Sequence, residues 1–239
     1  MEKISAEFSD SGRVALISGG ARRLGAAICE QLHSSGLDVL IHCNRSREEA
    51  NVLAQKLNDR RSQSAQVVTA DLGSPAAATT LFNAAKAWRP QGVDVLVNNA
   101  SSFYPTPLAS VNEAQWEDLR RSNLDAPLWL SQAFARQSPT PKAGVIINLC
   151  DAMVAGGIAG FAPYAAAKAG LANLTKSLAR ELAPHIRVNA VAPGSMLWPE
   201  PIPDEATKEA HLKTIPMGKL GCPQDIACLL YTSPSPRDL

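Results

Sequence analysis

Short runs of apolar, largely β-branched residues alternate along this chain with longer stretches of helical period. This alternation is typical of a parallel sheet with helices on both faces, and it limits the fold more than any other feature of the sequence. Six strands are predicted, at 14–18, 37–42, 66–70, 93–98, 144–149 and 186–191. Because these runs are apolar throughout, both faces of the sheet are expected to be buried.

Helices are predicted between the strands, at about 22–35, 46–59, 75–88, 113–137 and 162–183. No linker, repeat or low-complexity tract divides positions 1–227, so we predict a single doubly wound α/β domain of the Rossmann type over 1–227. The pattern breaks at 193–221, a proline-rich segment around one short helix at 204–213. A long loop in a compact domain is commonly a lid or a substrate-binding element, and we expect this segment to be one.

The C-terminal residues do not continue the pattern. A helix begins at 223–225, but from Cys228 the sequence resembles the translation of a transposon-type sequencing adapter. We therefore expect 228–239 to be a non-native tail and the sheet to lack its last strand. The alternative is an ordinary flexible terminus, which polar, proline-containing ends often form.

Composition excludes several classes of function. The 239 residues are 46% hydrophobic, which suffices for a sizeable core. Lys plus Arg is 23 and Asp plus Glu is 22, so the net charge of +1 favours neither nucleic acid nor an anionic membrane as partner. No apolar run approaches the roughly 20 residues of a membrane helix, and residues 1–12 are too polar for a signal peptide, so a cytoplasmic protein is expected. The five cysteines lack close pairing, which favours reduced thiols over disulfides or a metal site.

A glycine-rich turn follows the first strand and leads into an apolar helix. It contains Gly19, Arg23, Leu24 and Gly25. Glycines there let the backbone approach a pyrophosphate, whose charge the N–H groups of the helix N-terminus can bind. The spacing is not the usual GxGxxG, so plain strand-to-helix geometry is the alternative.

Residues after the second, third and fourth strands extend this candidate cofactor site. Asn44, Arg45 and Ser46 follow the second strand without a carboxylate, which favours the 2′-phosphate of NADPH over the free ribose of NADH, with Arg23 as a further phosphate partner. The residues after the other two strands lie where open α/β sheets hold ligands, and they are Asp71, Leu72, Asn98, Asn99 and Ala100. Taken singly, each is better explained as a helix cap or turn former.

Tyr164 and Lys168 lie four residues apart in an alanine-rich helical stretch, which places both on one face. A nearby ammonium is expected to lower the tyrosine pKa and make the phenol a proton donor for a substrate atom that receives a hydride. The spacing alone is weak, because it also fits an amphipathic tyrosine beside a solvated lysine.

Several motifs in one order make residues 13–227 resemble the short-chain dehydrogenase/reductase family. They are the glycine turn, Asn98-Asn99-Ala100, a helical Asn123, the Tyr-xxx-Lys pair and Pro193-Gly194. The resemblance implies that Asn123 holds a water of the proton relay, that Lys168 also binds the nicotinamide ribose, and that Tyr164 donates the proton. It also implies that Pro193, Gly194 and Ser195 contact the cofactor and that the intact protein is a dimer or tetramer.

Two departures from that pattern resemble the pteridine reductases within the family. Asp151 follows Cys150 where most members have Ser, and Arg23 replaces the middle glycine. The resemblance implies that Phe103 stacks on a flat pterin, that Ser101 contacts cofactor phosphate or pterin, and that Asp151 works with Tyr164. Independently of it, a carboxylate can accept from the amino and N–H groups of a nitrogen heterocycle. A core-filling aromatic and a helix cap are the alternatives for Phe103 and Asp151.

The function expected from these residues is NADPH-dependent reduction of a pterin, such as dihydropterin, biopterin or folate, to the tetrahydro form. A general carbonyl or 3-oxoacyl thioester reductase is the first alternative. The second is an inactive chain, because loss of a last strand leaves an unpaired sheet edge that favours aggregation.

Overall fold

The computed structural model describes residues 12–137 and 143–231. Within them, six parallel strands form one sheet in the order β3-β2-β1-β4-β5-β6. The strands are β1 (Val14–Ile17), β2 (Asp38–Cys43), β3 (Ala65–Thr69), β4 (Val95–Asn98), β5 (Gly144–Leu149) and β6 (Ile186–Val191). All six predicted strands are confirmed to within two residues, and this strand order is that of a doubly wound Rossmann-type fold.

Eight α-helices accompany the sheet in the described part of the chain. They are α1 (Arg23–Ser34), α2 (Arg47–Arg60), α3 (Pro75–Trp88), α4 (Glu113–Arg120), α5 (Ala126–Arg136), α6 (Ala162–Glu181), α7 (Glu205–Thr214) and α8 (Pro223–Tyr231). The predicted domain boundary after Ala227 falls inside α8, and residues 232–239 of the predicted tail lie outside the described residues. None of the helices described is both long and apolar enough to cross a membrane.

The sheet carries a core on each face. β1, β2, β4 and β5 are buried at every position, as their uninterrupted apolar runs predict. One core contains apolar residues of α1, α2 and α8, including the fully buried Ile28 and Leu57. The other contains residues of α3 and α5, including Leu81 and Leu130. This double burial fixes the strands, so the loops at their carboxyl ends have a rigid base.

The single helix predicted over 113–137 is interrupted. A capping box between Asn112 and Gln115 starts α4, as expected for a helix N-terminus. A π-helical turn, Arg121–Asp125, then separates α4 from α5 and contains the buried Asn123. Such turns are frequent at functional sites because they redirect one side chain without ending the helix.

The turn between β1 and α1 is closely packed against the end of β4. Gly19 has a φ of 62°, and a Cβ there would lie 2.9 Å from the Cα of Ala100. A Cβ on Gly25 would lie 2.2 Å from the Gly19 carbonyl oxygen and 2.7 Å from Asn99 Nδ2. Both glycines are therefore required by space, and Gly19 also by its backbone conformation.

Gly25→Ala is expected to lower the free energy of unfolding by about 1–3 kcal/mol, because the added methyl group forces backbone apart in a packed turn. Gly156→Ala is the matched control, since nothing lies within 4 Å of a Cβ at that position. Urea unfolding of both variants measures the difference. Equal stability of the two variants would show that the turn is not tightly packed.

Candidate active site

A cleft of about 1190 Å³ opens at the carboxyl ends of the strands. It is lined by the glycine turn, the loops after β2, β4 and β5, the start of α6, and the segment 193–211 that follows β6. The cleft includes the point between β1 and β4 where the strand order reverses, which is where open α/β sheets bind ligands.

Most residues predicted from the sequence line this one cleft. Those of the expected cofactor site are Gly19, Arg23, Leu24, Gly25, Asn44, Arg45, Ser46, Asn99, Ala100, Ser101, Pro193, Gly194 and Ser195. Those of the expected reaction and substrate sites are Phe103, Asp151, Tyr164 and Lys168. Asp71, Leu72 and Asn123 are not among the lining residues. Asp71 Oδ1 instead accepts from the Gly73 N–H at 3.1 Å, as a turn former does.

The cleft beside the glycine turn and the end of β2 is rich in hydrogen-bond donors. Arg22, Asn44, Arg45 and Ser46 line it there, close to the beginning of α2. The carboxylates among the lining residues are Asp118 and Asp151, which lie elsewhere in the cleft, in α4 and after β5. Arg22 Nη1 also lies 3.8 Å from Glu49 Oε1 and 4.0 Å from Glu200 Oε2. A close-packed glycine turn, a helix N-terminus and this group of polar and cationic donors fit the anionic part of a nicotinamide dinucleotide.

The Arg23 side chain is bonded to protein groups in this structure, and its contact with a phosphate stays a prediction. Its Nη2 donates to the Trp198 carbonyl oxygen at 2.8 Å, and its Nη1 lies 3.3 Å from Glu200 Oε1. Its backbone φ is 54°, although the residue is not glycine. In this structure Arg23 therefore joins the glycine turn to the segment after β6.

Tyr164, Asp151 and Lys168 form a compact group at the carboxyl end of β5. The Tyr164 hydroxyl donates to Asp151 Oδ2 at 2.7 Å, and Lys168 Nζ donates to the Leu149 carbonyl oxygen at 2.7 Å. Asp151 Oδ1 accepts from the Met153 N–H at 2.8 Å, so this carboxylate also caps the short helix that follows. One turn of α6 thus presents the phenol and the ammonium on the same face, as their spacing predicts.

The sequence predicts a lowered pKa for Tyr164, and this prediction is wrong for this structure. Burial, followed by the hydrogen bond and charge of Asp151, raises the pKa of Tyr164 well above its ordinary value of 10.0. Burial also lowers the pKa of Lys168 from 10.5 to about 8, although Cys150 and Asp151 partly oppose that change. The nearby carboxylate and the low-dielectric surroundings therefore outweigh the ammonium, whose Nζ lies 5.9 Å from the phenol ring centroid.

Asn123 is hydrogen-bonded to the loop that follows β4. Its Nδ2 donates to the carbonyl oxygens of Ser102 and Leu119, each at 2.9 Å. Its Oδ1 accepts from the Ser101 hydroxyl at 2.6 Å. The π turn therefore places an amide that fixes the loop bearing the expected substrate residues.

Phe103 is 54% exposed and faces other aromatic rings at the cleft. It stacks on Phe161 with a centroid distance of 4.7 Å and an interplanar angle of 8°. It also meets the Tyr164 ring edge-on at 4.8 Å. An exposed aromatic beside the phenol offers a flat surface to a conjugated ring.

Sequence reasoning missed several cleft residues. They include Arg22, His42, Tyr104, Asp118, Trp198 and His211. Asp118 belongs to α4, and its Oδ2 accepts from the Tyr104 hydroxyl at 2.9 Å. His42 could have been found, since it belongs to the strand end that carries Asn44 to Ser46. No motif in the segment after β6 indicated Trp198 or His211.

Comparison with known proteins gives the family. Residues 13–201 match the short chain dehydrogenase family. The chain is 38% identical over 248 residues to pteridine reductase 1 of Leishmania tarentolae, a comparison that covers 87% of this chain and 85% of that protein. It is 36% identical over 232 residues to a 3-oxoacyl-(acyl-carrier-protein) reductase of Vibrio cholerae, with 95% and 91% covered. The corresponding reductase of Aquifex aeolicus is 32% identical, with 92% and 89% covered. The fold, the cleft and these matches show that the chain belongs to the short-chain dehydrogenase/reductase family of oxidoreductases.

Proposed function

We propose that the protein reduces a pterin, such as a dihydropterin, biopterin or folate, to its tetrahydro form with NADPH. The observation that carries this proposal is the carboxylate of Asp151, hydrogen-bonded to the Tyr164 hydroxyl at 2.7 Å beside the exposed Phe103. A carboxylate accepts from amino and ring N–H groups, whereas a ketone offers it no donor.

The donors at the glycine turn and the end of β2 support NADPH as the cofactor. Asn44, Arg45 and Ser46 would bind the 2′-phosphate, with Arg22 as a further cation. Lys168 and the loop at Asn99 to Ser101 would hold the nicotinamide half. When bound, the nicotinamide supplies a hydride to the substrate.

Tyr164 is suited to donate a proton in this reaction. Its raised pKa keeps the phenol protonated at neutral pH, so it begins the reaction as an acid. The same raised pKa makes the phenolate unfavourable while Asp151 is charged and faces it. Substrate N–H groups that bind Asp151 offset that charge, and the phenol can then release its proton more easily. Substrate binding and activation of Tyr164 are thereby linked through Asp151.

A 3-oxoacyl thioester reductase is the second candidate, because relatives with that name match nearly the whole chain. In such a reductase, Tyr164 would still donate the proton and Lys168 would still hold the nicotinamide half. Asp151 would serve only as the helix cap, through its bond to the Met153 N–H. The two candidates differ in what Asp151 and Phe103 contribute, and substrate comparison separates them.

NADPH oxidation followed at 340 nm should be faster with dihydrobiopterin than with an acetoacetyl thioester. The pterin offers N–H donors to Asp151 and a flat ring to Phe103, and the thioester offers neither. Activity with the thioester alone would contradict the pterin proposal. Activity with neither substrate would support the hypothesis of an inactive chain.

Asp151→Ser is expected to lower kcat/KM for the pterin on the order of 10²-fold or more, because a neutral hydroxyl replaces the charged acceptor that binds both substrate N–H groups and Tyr164. Asp118→Asn is the matched control, since Asp118 is a cleft carboxylate bonded to Tyr104 rather than to Tyr164. Steady-state kinetics of both variants measure the difference. An equal loss in both variants would argue against a specific function of Asp151.

Lys168→Met is expected to abolish activity without loss of stability at pH 7. Burial lowers the pKa of Lys168 to about 8, so the folded protein releases this proton between pH 8 and 10.5 while the unfolded chain still binds it. The wild-type free energy of unfolding should therefore rise relative to Lys168→Met by about 2 kcal/mol from pH 7 to pH 9.5. Urea unfolding across this pH range measures it. A constant difference between the two proteins would contradict the lowered pKa.

A further inference from the structure

His42 is a buried cleft residue that the proposed reaction does not use. It lies in β2 and is 2% exposed. Its Nδ1 accepts from the Gly19 N–H at 3.1 Å, and its Nε2 lies 3.0 Å from the Ala70 carbonyl oxygen. Because an N–H can only donate and a carbonyl can only accept, the ring is neutral with its proton on Nε2.

We propose that His42 is a positioning residue for the dinucleotide, because its neutral ring holds the backbone of the glycine turn in the shape that receives the cofactor. The class of ligand rests on the proposed function. The conformation of Gly19 is held from its carbonyl side as well. Its φ is 62°, and its carbonyl oxygen accepts from Asn99 Nδ2 at 3.0 Å. His42 thus holds the peptide group before the Gly19 Cα through its N–H, and Asn99 holds the peptide group after it through its carbonyl oxygen.

The surroundings of His42 favour the neutral form that this bond needs. Burial lowers the pKa of His42 from 6.5, and this effect outweighs the Ala70 hydrogen bond and the charge of Asp71, which both raise it. The thiol of Cys29 contacts the same turn through the Gly20 carbonyl oxygen, and burial raises the pKa of this thiol, so it carries no charge. A protonated ring would present an N–H to the Gly19 N–H, and that hydrogen bond would be lost.

Two substitutions test the hydrogen bonds of the two ring nitrogens separately. His42→Asn places an amide oxygen near the position of Nδ1 and can still accept from Gly19. His42→Gln places an amide nitrogen near the position of Nε2 and can still donate to Ala70. Gly19 should therefore lose its partner only in His42→Gln. His33→Asn is the matched control, because His33 is also buried but bonds Ser64 Oγ at 2.7 Å and is not a cleft residue.

Calorimetric titration with NADPH at pH 7.5 is the first measurement. His42→Gln should bind about tenfold or more weakly than His42→Asn, since a buried N–H loses its acceptor in the first variant only. The affinity of His33→Asn should equal that of wild type. Equal affinities of His42→Asn and His42→Gln would overturn the proposal. A wild-type protein that binds neither NADPH nor NADH would contradict the proposed function instead.

Two ligand-free measurements test His42 independently of that outcome. Nitrogen-15 NMR of the imidazole at pH 7.5 should show the neutral ring with its proton on Nε2, and the other tautomer or a charged ring would overturn the proposal. The wild-type free energy of unfolding should also fall more steeply than that of His42→Asn below pH 6.5. The unfolded histidine binds a proton there before the folded one, and the contribution of His33 cancels because both proteins contain it. Parallel curves would overturn the proposal.

Discussion

The hydroxyl of Ser18 connects the two halves of the sheet at the point where the strand order reverses. Its oxygen accepts from the N–H groups of Asn99 and Ala100 at 2.9 and 3.0 Å, while it lies 3.3 Å from the Val97 carbonyl oxygen. Asn99 Nδ2 returns two bonds to the carbonyl oxygens of Ser18 and Gly19, both at 3.0 Å. This reciprocal set joins the glycine turn to the loop that continues to Phe103. The cofactor side and the substrate side of the cleft are therefore joined directly by hydrogen bonds at this point.

The group around Tyr164 follows a different physical rule, since burial favours the neutral phenol of Tyr164 but opposes the charge of Lys168. Lys168 is 4% exposed, and its ammonium has one hydrogen bond, to a backbone carbonyl. One oxygen of Asp151 accepts from the Met153 N–H and so caps the following short helix, and the other accepts from the Tyr164 hydroxyl. A buried charge with few partners destabilises the fold, and such groups are concentrated at functional sites because their proton affinities respond strongly to a bound ligand. The protonation of Lys168 and Tyr164 is thus expected to respond to a bound ligand, as proton transfer requires.

The sequence predicted the parallel sheet and most of the cleft because both depend on local patterns. Apolar runs buried on two faces indicate parallel strands, and the carboxyl ends of such strands meet at one edge, so Asn44, Asn99 and Asp151 could be placed together without coordinates. The direction of the Tyr164 pKa could not be predicted in this way. It depends first on the burial of the phenol and then on its 2.7 Å hydrogen bond to Asp151, 13 positions away, whereas the four-residue spacing indicated only Lys168. The π turn at Asn123 was missed for a similar reason, because its hydrophobic pattern differs little from that of a continuous helix.

Arg23 shows how the glycine turn and the segment after β6 depend on each other. A non-glycine residue at a φ of 54° costs about 1 kcal/mol or more, and glycine would remove that cost. What the arginine contributes in return is its bond to the Trp198 carbonyl oxygen, together with an exposed ion pair to Glu200 that is worth little in water. One hydrogen bond of this kind holds the segment near the turn and contributes about 0.5–3 kcal/mol net. Contacts of this strength agree with the lid or substrate-binding element that the sequence predicts for this segment, and that function stays a prediction.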